Sequence, residues 1–371
     1  MVKDITKFVK PHLVEVKSNY EVLTSVLGAK IVSDAICSEE MINMFNNQNP
    51  YPPSPEVLQV MEDYLPLANR YPDPTCYYLN EKIAEYVGLK SENVIVGRGS
   101  LGVIELIYYV FVGFNDEVIL TLPTFEQFEF ILNLVGGKPV FMQLQKPDFI
   151  LEPERVANSV SPKTKLIILM NPHNPIGNTM PEDAIKKILD EDVIVVVDEA
   201  YFEYCKKTVA PWVTEYENLI VLRTFSKAFS LAGLRIGYGL ANPELIKQIR
   251  KLDTVFPMSA IAIQAAITAL EDIDYAEKNV SKTIEERQYL TEEISQIDGL
   301  KPYPSETNFI LIEITKENMD AGKITAKLLE NKILIKNCTD QKGLNEKFFR
   351  VSVSTPENNR LLIKSLKTLM E

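Results

Sequence analysis

Lys227 stands in the run Thr224-Phe225-Ser226-Lys227-Ala228-Phe229-Ser230-Leu231-Ala232-Gly233-Leu234-Arg235, behind two small hydroxyl residues and ahead of an arginine. A lysine that forms a Schiff base beside a bound phosphate needs such surroundings. Hydroxyls bind phosphate oxygens, an arginine neutralises them, and an apolar wall keeps the amine partly dehydrated. In isolation Lys227 reads as an ordinary surface lysine, because lysines are mostly exposed. Its upstream neighbours change that reading.

Asp192-Val193-Ile194-Val195-Val196-Val197-Asp198-Glu199-Ala200-Tyr201 is a β-branched run that ends in acids. Such a run fits a parallel strand buried on both faces. It places Asp198 at the carboxyl end of the strand, where open α/β sheets bind ligands; capping of the next turn is the simpler alternative for an aspartate. Lys165-Leu166-Ile167-Ile168-Leu169-Met170 reads as a second buried strand. It runs into Asn171-Pro172-His173-Asn174-Pro175-Ile176-Gly177, a loop dense in turn-forming residues.

Together these stretches resemble fold-type I pyridoxal-phosphate enzymes of the class I/II aminotransferase superfamily, with closest likeness to histidinol-phosphate aminotransferases. The matching motifs are the Asn-Pro-x-Asn-Pro-x-Gly loop at residues 171–177, Asp198-Glu199-Ala200-Tyr201, and Arg-Thr-x-Ser-Lys-Ala-Phe-x-Leu-Ala-Gly-Leu-Arg-x-Gly at residues 223–237. Asn49-Pro50-Tyr51-Pro52-Pro53-Ser54-Pro55, Arg70-Tyr71-Pro72-Asp73 and Phe349-Arg350-Val351 extend the likeness from about residue 45 to the C-terminus. The resemblance implies an α/β fold of type I, with a mostly parallel seven-stranded sheet in a large domain and a smaller α/β C-terminal domain. It implies pyridoxal 5′-phosphate as cofactor, an amino donor and a 2-oxo acid as substrates, and a homodimer with shared active sites.

The resemblance also assigns roles. Lys227 would carry the cofactor and then move a proton on the substrate, a transfer that typically contributes about a hundred- to ten-thousand-fold. Asp198 would pair with the pyridine nitrogen, Asn174 and Tyr201 with the ring's phenolic oxygen, and Phe125 would stack on the ring face. Ser100 and Leu101 would offer helix-start amides to the phosphate, joined by Ser226 and Arg235. Tyr71 would reach the phosphate of the neighbouring subunit. Tyr51 would lean toward substrate across the same interface, Lys336 would lie near a substrate phosphate, and Arg350 would bind the substrate carboxylate through its planar fork. The chain departs from the usual pattern at Gln48, where relatives carry glutamate, and at Ile176, where threonine is frequent. Leu101-Gly102 replaces an acidic pair, and Lys336 an arginine.

Composition narrows the field independently. The 371 residues carry 39 basic and 51 acidic side chains, a net charge of −12, which argues against a nucleic-acid or acidic-membrane partner. No apolar stretch approaches the roughly 18 residues of a membrane helix. The N-terminus has no secretory pattern, and Cys37, Cys76, Cys205 and Cys338 show no metal or redox spacing, which together suggest a reduced cytoplasm. His12 and His173 are the only histidines, so no multi-histidine metal site and no metal is expected. His173 reads as a loop contact.

Strand-like and helix-like runs alternate between residues 94 and 221, the pattern of a parallel sheet covered by helices. A long helix is expected over residues 274–297, strands at 307–312 and 349–353, and a closing helix after Pro356. We expect an N-terminal segment at 1–45 (an arm or part of the small lobe), a large domain at 46–273 and a small domain at 274–371. Two other activities remain open on the same fold: a threonine-phosphate decarboxylase, which Pro123-Thr124-Phe125-Glu126 resembles, and an aromatic amino acid aminotransferase.

Overall fold

The computed structural model describes residue 7 and residues 9–14, 16–18 and 40–371. Cys37 and most of the expected N-terminal segment lie outside the described residues. Among those described, twelve strands form two sheets. Strand β1 (Ile42–Met44) belongs to the smaller one. The larger sheet comprises β2 (Val94–Arg98), β3 (Glu117–Leu122), β4 (Lys138–Gln143), β5 (Thr164–Met170), β6 (Ile194–Asp198), β7 (Leu219–Thr224) and β8 (Ile236–Ala241), in the order β2-β8-β7-β6-β5-β3-β4.

The expected seven-stranded, mostly parallel sheet is present. Only β8 runs against its neighbours, pairing antiparallel with both β2 and β7. β6 is buried on both faces because its side chains alternate between two cores. Val195 and Val197 join the core on one face of the sheet, and Val196 packs into the core on the other. That is why a continuous apolar run, rather than an alternating one, makes this strand. The registers Met170↔Asp198 and Asp198↔Leu222 align the carboxyl ends of β5, β6 and β7, so the loops that leave them share one edge.

The second sheet contains β9 (Leu300–Pro302), β10 (Phe309–Ile314), β11 (Ile333–Asn337) and β12 (Phe348–Ser352), ordered β1-β11-β12-β10-β9. β1 pairs in parallel with β11, so residues 42–44 complete this sheet rather than extending away as an arm. A helix at Ile273–Ser295 leads from the large sheet to the small one, and a helix at Pro356–Met370 closes the chain, capped by the Thr355 hydroxyl. Ile310, Ile312, Val351 and Leu362 are fully buried between this sheet and its helices. Each contributes about 1.5–3 kcal/mol relative to exposure. The strand expected at 307–312 begins instead at Phe309. Ser305, Thr307 and Asn308 are taken up in side-chain hydrogen bonds that shape the turn before it. No helix of the described residues is long and apolar enough to cross a membrane.

Candidate active site

A cavity of about 390 Å³ opens where the two sheets face each other, within the usual range for small-ligand sites. Its floor comes from the ends of β5, β6 and β7 and from the start of the helix Gly99–Phe111. Ten of the residues predicted from sequence line it: Ser100, Leu101, Phe125, Asn174, Asp198, Tyr201, Ser226, Lys227, Arg235 and Arg350.

One end of the cavity is built for an anion. The helix Gly99–Phe111 follows β2 directly, leaving the amides of its first turn without intrahelical acceptors. Arg235, in the left-handed region at φ 55°, lays its guanidinium against Gly99, where a Cβ would fall 2.9 Å from Nη2. Gly237 lets β8 approach the same helix start: a Cβ there would lie 2.2 Å from the Ser100 nitrogen. The Thr224 and Ser226 hydroxyls lie 2.9 Å apart on the same wall. Positive dipole, guanidinium and hydroxyls thus converge on one volume.

In the middle of the cavity are an amine and a carboxylate. The Lys227 Nζ donates to the Asn46 carbonyl at 3.0 Å. Burial, reinforced by the positive charges of Arg350 and Arg235, pulls this amine down to about 7. Asp198 is buried at the end of β6 and accepts from the Ala200 amide at 3.0 Å. Burial pushes its carboxyl up to about 7, against the hydrogen bond from Ala200. Both groups are therefore poised near neutrality, as acid–base chemistry requires.

At the far wall Arg350, on β12, donates through Nη1 to Asn174 Oδ1 at 2.6 Å and through Nη2 to the Phe45 carbonyl at 2.9 Å. Its Nε is buried without an acceptor. The Tyr201 hydroxyl accepts from Asn47 Nδ2 at 2.9 Å. Phe125 meets Phe128 edge-on at 5.6 Å between ring centres, which fixes its ring at the cavity wall.

Three predicted residues are not in this cavity. Tyr71 is 82% exposed and stacks on Phe256 at 4.5 Å. Tyr51 lies under the Lys282 amine, 4.8 Å from its ring centre. Lys336 stands 3.7 Å from Glu126, beside the Phe45 ring. His173 is a buried loop residue, bonded to Thr121 Oγ1 at 3.1 Å, and burial pulls its imidazole down to about 3. Sequence reasoning missed Asn46 and Asn47, which also line the cavity. The Asn46-Asn47-Gln48-Asn49 run favours tight, left-handed backbone, but nothing in it reveals which elements it crosses. No cluster of potential metal ligands occurs among the described residues.

Comparison with known proteins agrees with this architecture. The family model for aminotransferase class I and II matches residues 39–366. The histidinol-phosphate aminotransferase of Methanosarcina mazei is 37% identical over 331 residues, covering 89% of this chain and 88% of that protein. That of Methanocaldococcus jannaschii is 34% identical and covers 100% of this chain and 97% of its own length. The crystal structure of histidinol-phosphate aminotransferase from Sinorhizobium meliloti in complex with pyridoxal-5′-phosphate superposes with a TM-score of 0.87 at 26% identity, covering 100% of this chain and 99% of that one. With its fold, its cavity and its family match in agreement, this chain belongs to the class I and II aminotransferases.

Proposed function

We propose that this protein transfers the amino group of histidinol phosphate to 2-oxoglutarate, with pyridoxal 5′-phosphate held in the cavity. The observation that carries the reading is identity above 30%, over most of both chains, to the histidinol-phosphate aminotransferases of Methanosarcina mazei and Methanocaldococcus jannaschii. The residues present fit the cofactor. The cavity has an anion cradle at one end, a buried carboxylate and a low-pKa amine in its middle, and an arginine with an unused buried Nε opposite.

In this reading the amides of Ser100 and Leu101, the Ser226 hydroxyl and the Arg235 guanidinium hold the cofactor's phosphate. Asp198 holds a proton on the pyridine nitrogen, its charge favoured by that cation. Asn174 and Tyr201 bind the ring oxygen, and Phe125 covers the ring face. The bound cofactor supplies an electron sink for the substrate's α-carbon. Lys227 would hold the cofactor through its amine and would act as the acid–base group for the proton at the substrate α-carbon. Arg350 presents its fork to the carboxylate of glutamate or 2-oxoglutarate. Lys336, near the Phe125–Glu126 edge, adds a point charge for the substrate phosphate.

The same reading makes the protein a cytoplasmic homodimer. The exposed Tyr71 and its partner Phe256 support a site completed by the neighbouring subunit, with Tyr51 lent in the same way. Residues 46–273 serve as the cofactor-binding domain and residues 274–371 as the small domain. The pairing of β1 with β11 supports joining the end of the 1–45 segment to the latter.

Purified protein is expected to absorb in the visible, and borohydride to fix that absorbance on the peptide containing Lys227. Histidinol phosphate with 2-oxoglutarate should yield glutamate. A chromophore retained covalently by Lys227→Ala would overturn the role of the lysine. Carbon dioxide released from threonine phosphate, with no glutamate formed, would replace the reaction with a decarboxylation.

A further inference from the structure

Residues 45–49 form a strap in which Asn46, Asn47 and Gln48 line the cavity and the first three carbonyls are each occupied. Phe45 O accepts from Arg350 Nη2, Asn46 O from Lys227 Nζ and Asn47 O from Asn308 Nδ2, at 2.9, 3.0 and 2.9 Å. Asn49 Nδ2 adds a bond to the Ala228 carbonyl, next to the lysine, at 3.0 Å. Turning three consecutive carbonyls toward three different side chains needs a local reversal. Asn47 supplies it with φ 54°, a left-handed conformation that asparagine tolerates better than most residues.

Asn47 is almost fully buried, and all of its polar groups are engaged. Its backbone amide donates to Ser352 Oγ at 2.8 Å, and the Ser352 hydroxyl donates back to Asn47 Oδ1 at 3.2 Å. With Oδ1 committed to a donor, the amide must turn Nδ2 toward the Tyr201 oxygen, 2.9 Å away. A tyrosine oxygen that accepts from Asn47 keeps its own proton for another acceptor. Tyr201 lines the cavity, so that proton is available to a ligand there.

We propose that Asn47 is a positioning residue that, held by Ser352 of the small sheet, makes Tyr201 a hydrogen-bond donor into the cavity. The proposal rests on the preceding reading, in which the acceptor is the cofactor's ring oxygen. Nothing in it requires Asn47 to touch substrate. It also ties the donor state of Tyr201 to β12, the strand that carries Arg350.

Asn47→Asp tests it with little change of shape, since aspartate also tolerates the left-handed region. The aspartate oxygen accepts where the amide donated, so the Tyr201 proton turns away from the cavity. A ring oxygen deprived of its donor holds a shared proton more tightly. The pH midpoint of the bound cofactor's visible band should therefore rise by about one unit, the equivalent of one hydrogen bond. Tyr201→Phe should raise it similarly. The double variant should match Tyr201→Phe alone, because the two changes act through one hydroxyl. Ser352→Ala, which frees the amide to turn over, should shift the midpoint in the same direction by a smaller amount and serves if Asn47→Asp does not fold. An unshifted midpoint in a folded Asn47→Asp or Ser352→Ala protein, or shifts that add in the double variant, would overturn the proposal. Failure of the parent protein to bind the cofactor at all would instead remove the reading on which it rests.

Discussion

Behind the cavity lies a buried ion pair whose removal has a calculable consequence. Arg223 donates through Nε and Nη2 to Glu199 Oε2 at 3.0 and 2.9 Å, and both side chains are almost wholly excluded from solvent. Glu199 also accepts from the Thr208 hydroxyl at 2.7 Å and the Val209 amide at 2.6 Å. Arg223→Met keeps bulk against the Phe202 ring, which the guanidinium now covers at 3.6 Å, but leaves Glu199 without a counter-ion. Stranding one member of such a pair costs about 3–5 kcal/mol. Burial already holds the Glu199 carboxyl above its ordinary value, with Arg223 the leading opposing influence. Without Arg223 the carboxyl rises further. The folded state then binds this proton more tightly than the unfolded state, so stability is greater at low pH and is lost as pH rises through the folded value. The deficit should therefore be largest near pH 8 and shrink toward pH 5. Urea unfolding of the cofactor-free protein, at one protein concentration and at several pH values, measures it. Arg223→Met/Glu199→Gln should recover more than half of the loss at pH 8, because a neutral amide can keep the Val209 bond. A single variant within about 1 kcal/mol of the parent, or a double variant no better than the single, would refute this account.

Other expectations follow from the same geometry. Gly237→Ala should abolish cofactor retention at micromolar concentration, because the new Cβ would collide with the Gly99–Ser100 backbone that forms the anion cradle; equilibrium dialysis reads the loss. In cofactor-free protein, Lys227 acylation followed by peptide mapping should level off just above pH 7, while exposed lysines keep gaining reactivity to about pH 10. A rate for Lys227 that climbs in parallel with the surface lysines would contradict a buried, low-pKa amine. Mixed dimers of Tyr71→Phe and Lys227→Ala should show cofactor-dependent activity well above that of either parent variant if each site draws on both subunits. Proven heterodimers without that recovery would exclude sharing through Tyr71. Arg350→Lys should raise the KM for 2-oxoglutarate about tenfold or more, since a point charge replaces a two-pronged donor.

The large sheet was legible because β5 and β6 are runs of apolar residues too short for helices and too continuous for surface strands. The long helix after residue 272 announced itself by length and the last helix by Pro356, while the Thr355 cap became visible only in the structure. The reversal of β8 was not legible. Ile236-Gly237-Tyr238-Gly239-Leu240-Ala241 has the same pattern whichever way it runs, and its direction depends on the path of the chain out of β7. β1 was equally hidden: three residues make too short a pattern, and its partner lies almost three hundred positions away. The buried partnership of Glu199 with Arg223 also escaped notice. Their residue types suit a surface pair as well as a core one, and only the pairing of β6 with β7 puts them together.

The sequence by itself determined the chemical parts: a lysine among hydroxyls, an acid at the end of a buried strand, a glycine-lined helix start and an arginine in a late strand. These are local facts, carried by residue type and by periodicity over a few positions. Tertiary structure decided what each part does to the others. Lys227 becomes a low-pKa amine because folding buries it, and because Arg350, from the other sheet, and Arg235 add positive charge beside it. Asn47 orients Tyr201 only because β12 brings Ser352 beneath it. Burial, charge and hydrogen-bond direction depend on neighbours brought in from distant parts of the chain, and no local pattern encodes them.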